Sequence, residues 1–353
     1  MKILLVHPGA TWSVADVWRG LFDAMTDSGV EVVQYALDGR IVHTAGWLLW
    51  AHKNKVRNGF TGPAPTQGDF LYMACAGMID RALHHQVDWV FIISGTYVHQ
   101  GILKLLKRAG LKVACLLTES PYSDRYEKSV AEIVDAVWTN ERTSIKTFAP
   151  LCPEVGYYQH AYSPKRHAVG EYDPNTASHD VVFVGTGFQE RCDLFHDVNW
   201  DGIDFGLYGT WNLLGSRNRV RKHLVTQSDY SVANAKTAQL YRNAKIGINH
   251  HRTSIGYGRT VPHIAYAESM GPRCYELGAT GTFFITDRRA EVSEVFGDLV
   301  PTFEGPDELE DQIRYWLDHD EERRRIEAAL PEAVKKHTFD DRIDRILDVL
   351  VRN

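Results

Sequence analysis

The chain has few cysteines, no long apolar run, no excess of positive charge and no complete dinucleotide-binding glycine pattern. Five cysteines (Cys75, Cys115, Cys152, Cys192 and Cys274) occur among 353 residues. They are scattered, odd in number and without C-x-x-C spacing, so neither a zinc ribbon nor a disulfide framework is supported. They read as small buried hydrophobes in a reducing compartment. No run approaches the roughly eighteen apolar residues that a membrane span needs. The opening Met1-Lys2-Ile3-Leu4-Leu5-Val6-His7 is too short for a signal peptide and lacks a cleavage pattern. A cytoplasmic protein, peripheral at most and with no membrane insertion, is expected. The formal net charge of −6 gives no general pull toward nucleic acid or anionic membranes. The absence of G-x-G-x-x-G disfavours a dinucleotide, and no cofactor is expected. No metal is expected either, because the adjacent His250 and His251 would point to opposite faces of a strand and could not chelate one ion together.

What is present describes an ordinary soluble globular protein with room for two domains: 44% hydrophobic and 24% charged residues. Strand and helix signals alternate from the start. After the first strand, Val14, Val17, Trp18, Leu21, Phe22 and Met25 recur at helical spacing, and Gly29 ends the helix. Apolar strands follow at residues 30–35, 89–93 and 112–117, with shorter ones at 136–139 and 155–158. Helices are expected at 70–85 and 102–109, whereas residues 40–67 read as irregular. Short apolar strands separated by helices imply parallel sheets covered on both faces. The polar stretch 163–179 is the best linker, and a second alternation begins at Val181. The last helix, 340–351, is amphipathic and is expected to return toward the first domain.

The most informative stretch runs from Glu268 to Gly281, E-S-M-G-P-R-C-Y-E-L-G-A-T-G, followed by an apolar strand. Pro272 suits the first helical position and Gly281 the stop. Arg273 and Glu276 then fall in the first turn, near the positive end of the helix, where a phosphate is well received. An ionised Glu276 can accept from two ribose hydroxyls, and Arg273 can hold a phosphate or a base edge.

In open parallel sheets ligands bind beyond the carboxyl ends of the strands. Those ends give the candidate spans 7–12, 94–99, 118–122, Asn140 and His160 in the first half, and 185–191, 208–211 and 249–254 in the second. Gly9 permits close approach of backbone to a ligand. Gly185-Thr186-Gly187 with Arg191 is expected to present free N–H groups and a guanidinium to a diphosphate.

The ordered set from Val181 through Gly185-Thr186-Gly187, Arg191, Phe205 to Gly209, Lys245 to His251, the Arg273/Glu276 helix, Asp307 to Trp316, and His337-Thr338-Phe339 with Arg342 resembles the C-terminal domain of the CgeB-like glycosyltransferases, over roughly residues 178–350. The resemblance implies the GT-B plan: α/β, two Rossmann-like doubly wound domains facing a cleft. It implies an acceptor-side domain at 1–165, a nucleotide-sugar-binding domain at 178–338 and a returning helix at 339–353. In that class the second glutamate of an E-x7-E pattern binds the donor ribose; Glu276 matches it. Glu268 stands where the first glutamate falls, followed by Ser269-Met270-Gly271 where the class often has Phe-Gly. The resemblance makes Glu268 and Glu119, which precedes Ser120-Pro121-Tyr122, the catalytic candidates. Donor binding falls to Gly185, Thr186, Gly187, Arg191, Asn249, His251, Arg252, Arg273 and Glu276. The acceptor side falls to His7, Gly9, Thr96, Tyr97, Tyr122 and His160.

The expected function is transfer of a hexosyl or pentosyl unit from a nucleotide-diphosphate sugar, metal-independent and, by resemblance, retaining. The acceptor is left open among a modified DNA base, as in phage DNA modification, a protein and a glycan. An epimerase acting on the free nucleotide sugar, or a module that binds nucleotide or glycan without chemistry, are the alternatives. The one basic cluster, Arg217, Arg219, Arg221, Lys222 and His223, reads as a solvated face or as a nucleic-acid contact.

Overall fold

The structure is a computed structural model that describes residues 1–9, 14–227, 232–264 and 266–352. The chain divides into two compact units, Met1–Tyr158 with Ile343–Asn353 and Gln159–Arg342. Each is a six-stranded sheet in which all pairings are parallel.

In the first unit the strands are β1 Lys2–His7, β2 Glu31–Ala36, β3 Trp89–Ile93, β4 Lys112–Leu117, β5 Ala136–Thr139 and β6 Glu154–Tyr157, in the order β2-β1-β3-β4-β5-β6. Ile3, Leu4, Leu5 and Val6 are all fully buried, so both faces of the sheet are covered, as parallel pairing requires. The order reverses between β1 and β3. The carboxyl ends of these two strands therefore border the crevice in which such sheets hold ligands.

The second unit contains β7 His179–Val184, β8 Phe205–Gly209, β9 Leu224–Gln227, β10 Ala244–Asn249, β11 Phe284–Asp287 and β12 Thr302–Phe303, in the order β12-β11-β10-β7-β8-β9. Alternation along the strands sorts the core into two layers. Val181, Phe183, Phe205, Leu207, Ile246 and Ile248 face one side, and Val182, Val184 and Tyr208 face the other. Here the reversal lies between β7 and β10.

The stretch 163–179 belongs to the second unit, and side chains fasten its backbone there. Asn243 Nδ2 donates to the carbonyls of Asp173 (2.7 Å) and Thr176 (2.8 Å), and Arg242 donates to those of Arg166 and Ala168. A stretch without an apolar run, whose Val169 and Tyr172 are exposed, is thus fastened by hydrogen bonds.

The last helix, Phe339–Arg352, starts at a reciprocal cap. Thr338 donates from both N and Oγ1 to Asp341 Oδ2, and Asp341 N–H donates to Thr338 Oγ1. Its part from Ile343 onward belongs to the first unit, where Trp89 Nε1 donates to Leu350 O (3.0 Å).

The irregular reading is corrected for residues 40–57, while residues 58–66 form neither helix nor strand, as their Gly/Pro/Thr content implies. Asp38–Arg57 is a twenty-residue helix, none of whose residues is buried. Its apolar residues do not mark one inward face, so their spacing gives no amphipathic signal. All five cysteines are buried and unbridged, and burial pushes the Cys75 thiol up to about 11. Among the described residues no helix is long and apolar enough to cross a membrane.

Candidate active site

In the second unit the chain leaves β7 through Gly185-Thr186-Gly187 and leaves β10 through Asn249-His250-His251-Arg252. The turn after β7 is built around missing side chains. A Cβ on Gly187 would lie 2.3 Å from the Trp211 ring, and one on Gly209, whose φ is +115°, would lie 2.1 Å from Gly185 O. The strand ladder continues through this turn: Gly185 N–H donates to Tyr208 O (2.9 Å) and Gly187 N–H to Thr210 O (2.7 Å). The expectation of free amides at these two glycines is therefore corrected. The tight pairing that needs glycine also consumes the N–H groups.

Arg191 lies on the helix Gln189–Asp197 and is buried. Its Nη1 donates to Thr186 O (2.8 Å), and Nε (2.9 Å) and Nη2 donate to His250 O. It thus ties the end of β7 to the end of β10. Burial, then the Arg273 charge, lowers its guanidinium to about 9. The sequence reading made it a diphosphate contact; the structure gives these donors to backbone carbonyls.

Arg273 and Glu276 fall on the helix Pro272–Thr280, with Pro272 in the first turn and Gly281 left-handed at the end. The Arg273 Nη1 lies against Gly185, 3.3 Å from where a Cβ would sit. Its Nε is buried and finds no hydrogen-bond partner among the described residues. Glu276 is 6% exposed. Burial raises its carboxyl pKa, while Arg273, a hydrogen bond from Asn234, and Arg166 act in the opposite direction. His167 Nε2 stands 4.0 Å from Glu276 Oε1.

His251 and Asn249 hold that helix in position. Gly271 N–H donates to His251 Nε2 (2.9 Å), which leaves the ring proton on Nδ1 to be donated to Asp287 Oδ1 (2.7 Å). Asp287 also accepts from His251 N–H and from Arg289 Nε. Burial would raise the Asp287 carboxyl, but His251, His250 and Arg289 together hold it well below the usual carboxylate range. Asn249 Nδ2 donates to Thr286 Oγ1 (2.9 Å) and Cys274 Sγ (3.2 Å). Both residues, read in the sequence as donor contacts, are engaged within the protein.

Arg252 stacks over Phe188, its guanidinium carbon 5.4 Å from the ring centroid. The loop after it is fixed by Glu190, which sequence reasoning missed. Its Oε1 accepts from Thr253 N–H (2.8 Å), Ser254 N–H (3.1 Å) and Ser254 Oγ (2.9 Å). Glu268 is half-buried on the loop before the helix, and its carbonyl accepts from Glu291 N–H (3.2 Å). Glu291 in turn holds Met270 N–H (2.6 Å). No spacing rule links Glu190 or Glu291 to their distant partners.

His160 was placed on the acceptor side of the first half, but it lies in the second unit. It is fully enclosed, and burial, then His251 and Arg342, lowers it to about 3.

In the first unit, His7 ends β1 and stacks on Trp18 with centroids 3.9 Å apart. Burial foremost lowers its pKa. Gly9 has φ +116° and accepts from Trp18 Nε1 (3.1 Å); a Cβ there would overlap the Asp38 carboxyl. Ala10, Thr11 and Trp12 of the candidate span lie outside the described residues. After β3, Ser94 takes φ +57°, and Thr96 and Tyr97 form a short 3₁₀ turn, half-buried, beside that same crevice.

Glu119 and Tyr122, both half-buried, follow β4. Asn140 grips Ser120, accepting its N–H (3.1 Å) and donating to its carbonyl (3.2 Å). Beneath this turn lies Glu127, also missed in the sequence. It accepts from Glu119 N–H (3.3 Å) and Ser120 Oγ (2.7 Å), and burial raises it to about 8, assisted by Glu119 and Asp124.

Arg217, Arg219, Arg221 and Lys222 are exposed around the 3₁₀ helix Arg219–His223. Lys222 reaches Asp201 at 3.9 Å, a solvent-exposed pair.

Residues 191–348 match the family model described as Glycosyl transferase-like. The chain is 24% identical over 270 residues to the spore protein CgeB of Bacillus subtilis, covering 72% of this chain and 80% of that protein. Among solved structures it is similar to sucrose-phosphate synthase from Thermosynechococcus elongatus, with TM-score 0.69, 13% identity and 99% of each chain covered. It is also similar to Anabaena HepE in complex with UDP-glucose, with TM-score 0.61, 14% identity, and 99% of this chain and 100% of that one covered.

Proposed function

Taking as premise that the chain is a CgeB-like glycosyltransferase of GT-B fold, we propose that its second unit binds a nucleotide-diphosphate sugar and that the enzyme moves the sugar, with retention and without a metal ion, to an acceptor hydroxyl. The observation that carries this reading is the pair on the helix Pro272–Thr280. Nε of Arg273, buried beside the Gly185 turn, has no hydrogen-bond partner among the described residues, and a buried carboxyl, Glu276, lies one turn further on. A cationic donor with an unmet hydrogen bond suits a diphosphate oxygen. An acceptor-only carboxylate suits a ribose diol. HepE, of the same fold, holds UDP-glucose.

In this reading Arg273, with Arg252, stabilises the charge that develops on the leaving diphosphate, which is the main demand of such a transfer. Arg191 acts one step back. It fixes the Thr186 and His250 carbonyls, and so the turns against which the diphosphate lies. His251 and Asn249 set the position of the helix that carries Arg273 and Glu276. Glu119 is the acceptor-side carboxylate, and Glu268 stands at the entrance of the donor helix. The acceptor is a hydroxyl on a modified DNA base, a protein or a glycan.

Calorimetry with a panel of nucleoside diphosphates, in buffer with and without EDTA, tests the donor half. Binding that persists in EDTA and is lost in Arg273→Ala supports it; no binding to any of them sinks it. Mass spectrometry of acceptor candidates incubated with nucleotide sugars tests transfer. Conversion of the donor without any acceptor mass gain would overturn it.

A further inference from the structure

The ends of β1, β3 and β4 lie side by side in the first unit, with β3 in the middle. Each carries a polar group that the fold itself does not use. His7 ends β1 and is 3% exposed. Asp38 and Gln34 act on its ring, yet neither ring nitrogen completes a hydrogen bond among the described residues. The hydroxyls of Thr96, after β3, and Thr118, after β4, are shut off from solvent and also lack a partner there. Leaving a polar atom buried and unpaired opposes folding. One such atom is an accident of packing. Three on neighbouring strand ends, beside the reversal of strand order, mark a place where a ligand supplies the bonds.

The three groups are of one kind. A threonine hydroxyl both donates and accepts, and a neutral imidazole has one nitrogen of each sort. Burial foremost lowers the His7 pKa, which keeps the ring neutral. Groups that both give and take match hydroxyls, which do the same, whereas a phosphate dianion only accepts. The spans 7–9, 94–99 and 118–122 contain no Lys or Arg. Arg19, which acts on His7, is exposed and lies over the Trp18 ring. Negative charge is present instead: Glu119 follows Thr118, and the Asp38 carboxyl lies against Gly9. Carboxylates accept from hydroxyls and repel phosphate, so a nucleic-acid strand finds no positive rail at these strand ends. A protein side chain offers one hydroxyl, and three unmet groups ask for several on one molecule. Adjacent strands lie about 4.8 Å apart, so three strand ends span about 10 Å, the length of one or two sugar rings.

We propose that the ends of β1, β3 and β4 bind an uncharged sugar, with His7, Thr96 and Thr118 bonding its hydroxyls, and that this sugar is the acceptor. Only the last step rests on the transferase reading; binding of the sugar does not require it.

The test is saturation-transfer NMR of the full chain with the methyl glycosides of glucose, galactose, mannose and N-acetylglucosamine. Glucose-6-phosphate and a single-stranded oligonucleotide containing hydroxymethylcytosine are run beside them. At least one glycoside is expected to bind, and more tightly than either anion. Thr96→Val and Thr118→Val should each weaken that binding about tenfold, the scale of one hydrogen bond. His7→Phe, which keeps a ring against Trp18, should do the same or more. All three variants should unfold in urea at the parent's midpoint or above it, since each removes an unmet polar group. A lower midpoint would give these groups to the fold and overturn the proposal. So would binding of none of the glycosides, glycoside binding unchanged in all three variants, or oligonucleotide binding that the same variants abolish. The glycoside that binds should also gain the mass of a sugar when a nucleotide sugar is added. Binding without that gain, in a chain that does bind nucleoside diphosphates, overturns the acceptor role. Nucleoside diphosphates that fail to bind sink the donor reading and leave sugar binding standing.

Discussion

Replacing Glu276 by Gln separates binding from stability, because the two effects should have opposite signs. The carboxyl is 6% exposed, and burial raises its pKa against the opposing influence of Arg273, Asn234 and Arg166. A carboxyl whose folded pKa lies above its unfolded value gives stability that is complete below the unfolded pKa and lost as pH rises through the folded one. Above the unfolded carboxyl range the buried acid is therefore a cost to the fold that Gln, of the same shape, does not carry. Melting of Glu276→Gln should occur at the wild-type temperature or above it. Binding should move the other way. An ionised carboxylate that accepts from ribose hydroxyls makes charge-assisted bonds, worth about 1.5–3 kcal/mol on removal, or roughly a 10- to 150-fold rise in Kd. Calorimetry with the matching nucleoside diphosphate and calorimetric melting of the same samples give both numbers. Lower melting temperature with unchanged affinity would show that Glu276 serves the fold, not the ligand.

Three further outcomes are expected. Gly209→Ala places a Cβ 2.1 Å from Gly185 O at a φ of +115°, so it should cost at least about 2 kcal/mol in urea unfolding and weaken nucleotide binding with it; a neutral change would refute the close crossing of these turns. Glu127, raised to about 8 by burial, contributes stability present below the unfolded carboxyl range and lost as pH rises through about 8; Glu127→Gln should therefore gain on the wild type between about pH 5 and 9, by a few kcal/mol, and parallel stability curves would refute it. If Arg217, Arg219, Arg221 and Lys222 contact DNA, changing all four to Ser should flatten the salt dependence of DNA binding while leaving nucleotide affinity alone; DNA binding that is absent at low salt removes that role.

Much of the fold was legible because parallel strands buried on both faces write themselves as apolar runs. Ile3 to Val6, Val90 to Ile93 and Val181 to Val184 all show this. Pro272 and Gly281 bounded their helix because each occupies a backbone position that few other residues accept. The helix Asp38–Arg57 was not legible, since Val42, Leu49 and Val56 face outward and no inward stripe balances them. In the candidate site, Arg273 and Glu276 could be read because they are neighbours on one helix turn. Glu127 is eight residues from Glu119, but Glu190 meets Thr253 and Ser254 more than sixty positions away, and Glu291 meets Met270 across a loop. A partner at that distance is selected by the folded sheet, and no local spacing encodes it.

The same distinction explains why conserving charge type in a reading does not conserve role. Arg191, Arg252 and Arg273 were equivalent as sequence symbols for a diphosphate contact. Once folded, Arg191 is enclosed and gives its donors to Thr186 O and His250 O, Arg252 lies over Phe188, and Arg273 keeps a buried Nε without a partner among the described residues. A buried guanidinium whose donors are met by carbonyls contributes geometry. One whose donor is unmet bears a desolvation cost of about 1–3 kcal/mol or more, which an anionic ligand would relieve. Removing Arg191 should therefore disturb the turns after β7 and β10 and lower stability along with affinity. Removing Arg273 should take affinity without lowering stability, since the desolvation cost of its unmet donor goes with it. The order of those two losses, read in one urea series and one titration, assigns brace and ligand contact without knowledge of the sugar.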